Sequence, residues 1–237
     1  MDFELMLNSL PKLLYATLIT IELLISSLIA GLILAVILSI MRISKNKFFF
    51  YFSYIFSNLF RGTPLLVQIF IIYYGLGQIE YLRSTIFWVF FKEPFGCAMF
   101  ALSLNTAAYT SEILRSAFET IKIEYIEAGQ SLGLSKEKIF YKIKLPIAIR
   151  QSLSAYGNEI ILLMKGTALA STVTLMDITG VAKNIISTSF KPIEVFIVAG
   201  SIYLCLTFFI QYFIKIAENK FKFNVKSFLY SALFWKK

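Results

Sequence analysis

One stripe of polar side chains runs down an otherwise apolar stretch of this chain. Asn105, Tyr109, Glu112 and Ser116 follow one another at i, i+4, i+7 and i+11, the spacing of a single helix face. A carboxylate within an apolar helix of bilayer length costs about 2.5–3.5 kcal/mol on insertion scales, so it is turned towards a cavity or a partner. Two cations have similar settings. Arg61 precedes the apolar run that starts at Leu65, and Lys165 interrupts another run beside Gly166 and Thr167. A guanidinium grips a carboxylate at two points, which makes Arg61 a candidate receptor for a solute carboxylate, with Glu112 available to a cationic group. Arg61, Asn105, Tyr109, Glu112, Lys165 and Thr167 are therefore the candidate substrate-binding residues. Purely structural pairings compete with this reading: Arg61 with Glu112 or Asp177, Glu112 with Arg115 or a headgroup, and Lys165 snorkelling or meeting Glu159. Covalent chemistry is not indicated. The chain has no histidine, its two cysteines Cys97 and Cys205 stand in separate apolar segments, and no Gly-x-x-x-x-Gly-Lys-Ser/Thr loop is present. We expect no catalytic residue, no metal and no cofactor, with any ATP bound by a partner.

The elements that must position these residues are membrane helices. Of 237 residues 58% are hydrophobic and 16% charged, with a mean hydropathy of +0.73, far from the roughly 25% charged residues of soluble domains. The net charge of +9 does not point to nucleic acid, because the basic residues cluster between apolar runs, where membrane orientation explains them. Five segments predict transmembrane helices: Leu13 to Met41, Leu65 to Leu76 extended backwards through Phe48 to Phe60, Phe95 to Leu114, Leu153 to Leu175, and Ile193 to Ile216. Asp2 and Glu4 before the first run, and its length, argue against a cleaved signal peptide. The fold class is all-α and integral to the membrane, a single domain over residues 1–237 with no internal repeat. Glu22 in the first span has no assigned role.

Lysine and arginine set the orientation. One side carries Arg42, Lys45 and Lys47, the series from Arg115 to Arg150, and the tail from Lys215 to Lys237. The other has Lys12, Arg83, Lys92, Lys183 and Lys191. Cytoplasmic loops keep the basic excess, so the N-terminus is expected outside and the C-terminus in the cytoplasm.

The cytoplasmic stretch 115–150 holds Glu127-Ala128-Gly129, then Gly133, and after nine further residues Ile143-Lys144-Leu145-Pro146. This spacing resembles the EAA loop of bacterial ABC importer permeases, with Gly129 where alanine is usual. The resemblance implies that Glu127, Ala128, Gly129, Gly133, Ile143, Leu145 and Pro146 dock on an ATPase. From the residues themselves, Ser135 is a helix N-cap with Glu137 in the first turn. The break falls near Gly133-Leu134, and Pro146 is expected to end the second short helix.

Further stretches resemble the polar amino acid branch of these permeases. They are Phe60-Arg61-Gly62-Thr63-Pro64-Leu65-Leu66-Val67-Gln68, Ser103 to Glu112, Tyr156-Gly157-Asn158-Glu159-Ile160, Lys165 to Thr172, and Leu175-Met176-Asp177. The implied fold is that of a type I ABC importer permease with five transmembrane helices. The implied function is the permease subunit of an ATP-driven importer for basic amino acids, arginine first among them. Glutamine, histidine, cystine or an opine are alternatives. A stand-alone secondary transporter is disfavoured by the missing inverted repeat and by the EAA spacing. Implied partners are a second permease subunit, two ABC ATPase subunits, a periplasmic amino-acid-binding protein and the lipid of the bacterial inner membrane. Many relatives carry Asp where Gly166 stands, which suggests a heterodimer whose other half supplies the acid. Gly166 also predicts a helix break in the fourth span.

Overall fold

The computed structural model describes residues 1–220, so Lys222, Lys226, Lys236 and Lys237 of the basic tail lie outside the described residues. Helix α1 covers Phe3–Ile43 and is capped by Asp2, whose carboxylate accepts from the Leu5 amide at 3.0 Å. Its buried positions Leu13, Ala16, Thr20, Leu23, Ser27, Gly31, Ala35 and Leu38 recur every three or four residues and form one stripe. That stripe packs along α6, Pro94–Glu119, which is also flanked by α2 and α9. Lipid supplies no hydrophobic drive between helices, so close approach rests on small residues. Gly31 is such a point: a Cβ there would lie 2.2 Å from the Thr106 methyl and 3.1 Å from the Ser103 carbonyl oxygen.

The expected second span is not one helix. It consists of α2, Lys47–Gly62, and α3, Leu65–Phe70, which continues through a π-type turn at Ile71–Gly75, and the two parts meet at 106°. Pro64 lacks an amide proton and pushes the residue before it out of the helical region, and Thr63 is extended at φ −112° and ψ 145°. The carbonyls freed by this bend are caught by one side chain: Gln68 Nε2 donates to the Phe60 oxygen at 2.7 Å, the Thr63 oxygen at 3.0 Å and the Thr63 hydroxyl at 2.8 Å. Two short helices, α4 (Glu80–Arg83) and α5 (Trp88–Phe91), lead into α6. Serines stitch the start of the bundle, with Ser53 donating to the Leu38 carbonyl at 2.8 Å and Ser57 bonded to Ser111 at 3.1 Å.

Pro146 does not end a helix either. After α7 (Ile123–Ser131), α8 begins at Lys136–Ile139, passes through a π-type turn at Phe140–Lys144 and runs on as α9, Leu145–Gly166. The wider π turn just ahead of Pro146 accommodates a ring that would clash with the carbonyl four residues back in a regular helix. The break expected at Gly166 is a tightening: α9 gives way at Thr167–Val173 to a 3₁₀ segment, which ends on Thr174 at φ 64°. Helix α10, Ile178–Ser189, starts on Asp177, whose carboxylate accepts from the Gly180 amide at 2.9 Å, and α11 covers Pro192–Lys220.

Among the described residues α1 and α11 are each long and apolar enough to cross a bilayer, and two bent pairs qualify jointly: α2 with α3, and the continuous Lys136–Val173 helix with α10, bent by 47°. Helix α6 has the length, at 26 residues, but Ser103, Asn105, Thr106, Thr110 and Ser111 lower its apolarity while being buried inside the bundle.

Two outcomes are expected from this packing. Gly31→Ala should lower the stability of the purified protein by about 1–3 kcal/mol through overpacking, while Gly200→Ala, whose Cβ would meet nothing within 4 Å, should shift it by less than about 0.5 kcal/mol. The second concerns Lys191, whose ammonium lies 2.6 Å from the Asp2 carboxylate and ties the start of α1 to that of α11. The hydrogen bond from Lys191 holds the Asp2 carboxyl below its usual range. A depressed carboxylate stabilises above its unfolded value and loses that contribution as pH falls through the folded one. The thermal midpoint of the native protein should therefore fall more on acidification below about pH 4 than that of Asp2→Asn. Equal slopes would show that the pair contributes nothing.

Candidate functional site

The C-terminal half of α6, the end of α2 and the first half of α9 enclose a cavity of about 400 Å³, within the size range of small-solute sites. Arg61, Tyr109, Glu112, Ser116, Thr120 and Gln151 supply its polar wall, with Ile113, Ala117 and Ala155 as apolar lining. Arg61 stands one residue before the end of α2, its Nη1 3.7 Å from Glu112 Oε2 and its guanidinium 5.8 Å above the Tyr109 ring. The Tyr109 hydroxyl donates to the Arg61 carbonyl at 3.4 Å, so the ring fixes the backbone that presents the guanidinium.

Glu112 is held from three sides. Arg115 Nε donates to Oε1 at 2.8 Å, Arg42 Nη2 stands 4.0 Å from Oε2, and Arg61 approaches the same oxygen. Arg115 also pairs with Glu119 one turn further on. Three guanidiniums thus face two carboxylates, and the cluster keeps an excess positive charge. A carboxylate so thoroughly paired is a poor receptor for a second cation, while the surplus suits a carboxylate of a solute. The structural pairings expected of Glu112 with Arg115 and of Arg61 with Glu112 are both present, and Arg61 and Glu112 line the cavity. Arg61 does not reach Asp177, which is fully buried and accepts from the Tyr203 hydroxyl at 3.2 Å.

The other candidate residues are not brought to this cavity. Asn105 is buried, and its amide donates to the Phe60 carbonyl at 3.2 Å and to Gln68 Oε1 at 3.0 Å, so its protons brace the bend below Arg61. Thr167 is fully buried and its hydroxyl donates to the Met164 carbonyl at 2.6 Å, the reason being its place at the first turn of the 3₁₀ segment. Lys165 is exposed on α9 and has no hydrogen-bond or ion-pair partner among the described residues, Glu159 included. Gly166 packs against α3, where a Cβ would meet Leu65 Cδ2 at 3.1 Å. Arg42, Gln68 and Gln151 escape a reading of the sequence; only Gln68, within the Arg-Gly-Thr-Pro stretch, carries a signal that could find it. Glu22 is exposed and remains without a role.

Comparison with known proteins places this helical bundle and its charged cavity in a family. Residues 8–223 match the family described as binding-protein-dependent transport system inner membrane component. The chain belongs to this family. It is 47% identical over 219 residues to the nopaline transport system permease protein NocM of Agrobacterium fabrum, covering 92% of this chain and 91% of that one. It is 39% identical over 210 residues to the histidine/lysine/arginine/ornithine transport system permease protein HisM of Salmonella typhimurium, covering 88% and 89%. Among solved structures, an amino acid ABC transporter crystallised with histidines superposes with a TM-score of 0.83 at 28% identity, over 93% of this chain and 99% of that chain. The methionine ABC transporter MetNI in an inward-facing form shares the fold, with a TM-score of 0.67 at 18% identity, over 92% and 98%. The protein is a permease subunit of an amino acid ABC importer, a membrane transport component and not an enzyme.

In this permease the EAA-like stretch forms a compact helical elbow. Glu127 and Ala128 are exposed on α7, whereas Gly129 is buried, and a Cβ on it would come within 2.8 Å of Ile143 Cδ1. Ile143 is buried in that contact, Leu145 is half-buried and Pro146 is exposed. Gly133 adopts φ +73° and a Cβ on it would meet nothing within 4 Å, so its constraint is handedness and not space. The Leu134 amide returns to the Gly129 carbonyl at 3.1 Å and the Gly133 amide to Gln130 at 2.8 Å, a Schellman C-cap that stops α7. Ser135 then caps α8 through the Lys138 amide at 3.4 Å, as its sequence position predicts. Replacing Asn105 by Ala should cost about 1–3 kcal/mol, since it strips the donor from the Gln68 oxygen in the bend. Thermal unfolding of the purified protein reads this, and an unchanged midpoint would mean that water replaces the amide.

Proposed function

We propose that this permease imports basic amino acids, arginine first among them, with Arg61 receiving the substrate carboxylate in the cavity it shares with Tyr109 and Glu112. The surplus positive charge of the cluster is the observation that carries the carboxylate half of this reading. A fixed guanidinium beside a paired carboxylate offers two-point recognition of a carboxylate without having to strip Glu112 from its partners. The exposed ring of Tyr109, now under Arg61 at 5.8 Å, supplies a face for a cationic side chain. The relatives named for nopaline and for histidine, lysine, arginine and ornithine support a substrate of this class.

The same surplus favours an opine as second reading. An opine joins an amino acid to a keto acid and so adds carboxylate to the amino-acid backbone, and a net cationic wall accommodates the added charge at less cost than a neutral one.

The working assembly proposed here pairs this subunit with a second permease, two ABC ATPase subunits that bind the ATP, and a periplasmic amino-acid-binding protein, in the bacterial inner membrane. The N-terminus is periplasmic and the C-terminus cytoplasmic, with five crossings that count α6 and each bent pair as one. Residues 115–150 form the docking region, with Glu127 and Ala128 offered to the ATPase and Gly129, Gly133, Ile143, Leu145 and Pro146 shaping the elbow. The unbroken helix from Lys136 to Gly166 supports a direct lever: displacement of the elbow moves Gln151 and Ala155 in the cavity wall. Substrate is admitted from outside when the ATPase dimer closes and released inwards after hydrolysis.

Uptake into membrane vesicles holding the assembled importer tests the site. Arg61→Gln should lower arginine uptake by about tenfold or more, since a charged hydrogen bond is worth about 1.5–3 kcal/mol. Unchanged affinity and rate at equal abundance would remove Arg61 from the site. Competition by unlabelled arginine, nopaline, octopine and glutamine ranks the substrates, and displacement by glutamine alone would overturn the basic class. For the docking region, Glu127→Lys should abolish substrate-stimulated ATP hydrolysis while leaving the protein in the membrane. Normal stimulation would refute the docking assignment.

A further inference from the structure

A second cavity, about 440 Å³ in volume, lies where α1 ends, α2 begins and α6 meets the turn ahead of α9. It shares no lining residue with the substrate cavity, although Arg42 and Arg115 reach Glu112 from this side. Three cations border it: Arg42, Arg115 and Lys144. Arg115 is committed to Glu112 and Glu119, Arg42 reaches Glu112 with Nη2 alone at 4.0 Å, and Lys144 pairs with neither. Arg42 Nη1 is buried without a hydrogen-bond partner, and its guanidinium is held over the rings of Phe50 at 5.0 Å and Tyr54 at 4.6 Å. A buried guanidinium donor without an acceptor is costly in any protein and more so at membrane depth. The aromatic rings hold the guanidinium at the edge of the cavity that the Arg42 side chain borders. Lys144 has no partner among the described residues. Glu119 is the one carboxylate among the described lining residues, and with Glu112 behind it the wall keeps a positive excess.

The remaining wall is apolar. Phe118 and Phe140 stack at 6.0 Å with their planes 7° apart, and Ile43 and Phe50 face them across the cavity. A small free anion would satisfy the cations and leave these surfaces unfilled. A molecule with a phosphate at one end and hydrocarbon at the other fills both.

We propose that this cavity binds the phosphodiester of an anionic phospholipid, with the Arg42 guanidinium and Lys144 as its donors and the aromatic wall against its glycerol and acyl carbons. Basic pockets between membrane helices at headgroup depth are suited to such lipids. Placing the lipid in the cytoplasmic leaflet rests on the orientation proposed above; the binding itself does not. The site spans α1, α6 and the turn that continues into α9, so an occupied cavity braces the elbow against the bundle.

Native mass spectrometry of the assembled importer in detergent tests this independently of transport. The complex is titrated with phosphatidylglycerol and with phosphatidylcholine of the same acyl chains. Phosphatidylglycerol should be retained at least about fivefold better, the weight of one basic residue at a charged membrane surface. Lys144→Gln, on a half-buried side chain, should remove most of that preference, and Arg42→Gln should do the same. Equal retention of the two lipids, or an unaltered preference in Lys144→Gln, would overturn the proposal. Release of the bound lipid by millimolar inorganic phosphate would assign the cavity to free phosphate and overturn it as well.

Discussion

Everything at the centre of this permease depends on satisfying the backbone where its second helix breaks. Thr63-Pro64 frees the Phe60 and Thr63 carbonyls, and a carbonyl left without a donor is expensive at membrane depth. Gln68 turns back to meet both, and Asn105 reaches across from α6 to hold Gln68 and Phe60. The bend thereby becomes rigid, and rigidity is what places Arg61 at a defined height beside Tyr109 and Glu112. Without this network the guanidinium would hang from a flexible turn and could not stay within 3.7 Å of the carboxylate.

Charge obeys the same constraint. Glu112 offsets arginines from three places in the chain, the end of α1, the end of α2 and the next turn of α6. One carboxylate thus ties three helical segments together, and the incomplete neutralisation leaves a field suited to carboxylates. The lever lies on the far side of the cavity. A π-type turn lets the helix pass Pro146 without breaking, so the elbow and the cavity wall share one axis.

Much of the architecture is legible in the sequence because its signals are local. Apolar runs locate α1, α6 and α11, and the caps at Ser135 and Gly133 follow from residue type alone. The spacing from Glu127 to Pro146 and the Arg-Gly-Thr-Pro stretch point to the family to which the chain belongs. The stripe Asn105, Tyr109, Glu112, Ser116 marks the polar side of α6 but cannot tell which members face a cavity. Asn105 is diverted by carbonyls that a bend 45 residues earlier sets free, a long-range fact with no local trace. Thr167 is lost to a 3₁₀ turn for the same reason that Gly166 stands out: the helix tightens there and buries the hydroxyl. Pro146 misleads because the rule that proline ends a helix ignores a preceding wide turn. Arg42 reads in the sequence as an orientation signal and nothing more, since only the folded α1–α2 corner brings it to Glu112.

The most direct test of this account is a structure of the assembled importer with bound substrate. The account predicts density for an amino acid between Arg61, Tyr109 and Gln151, its carboxylate within hydrogen-bond reach of the Arg61 guanidinium and Glu112 still paired with Arg115. Substrate seated instead against Lys165 and Gly166, with Arg61 unmoved and untouched, would contradict it.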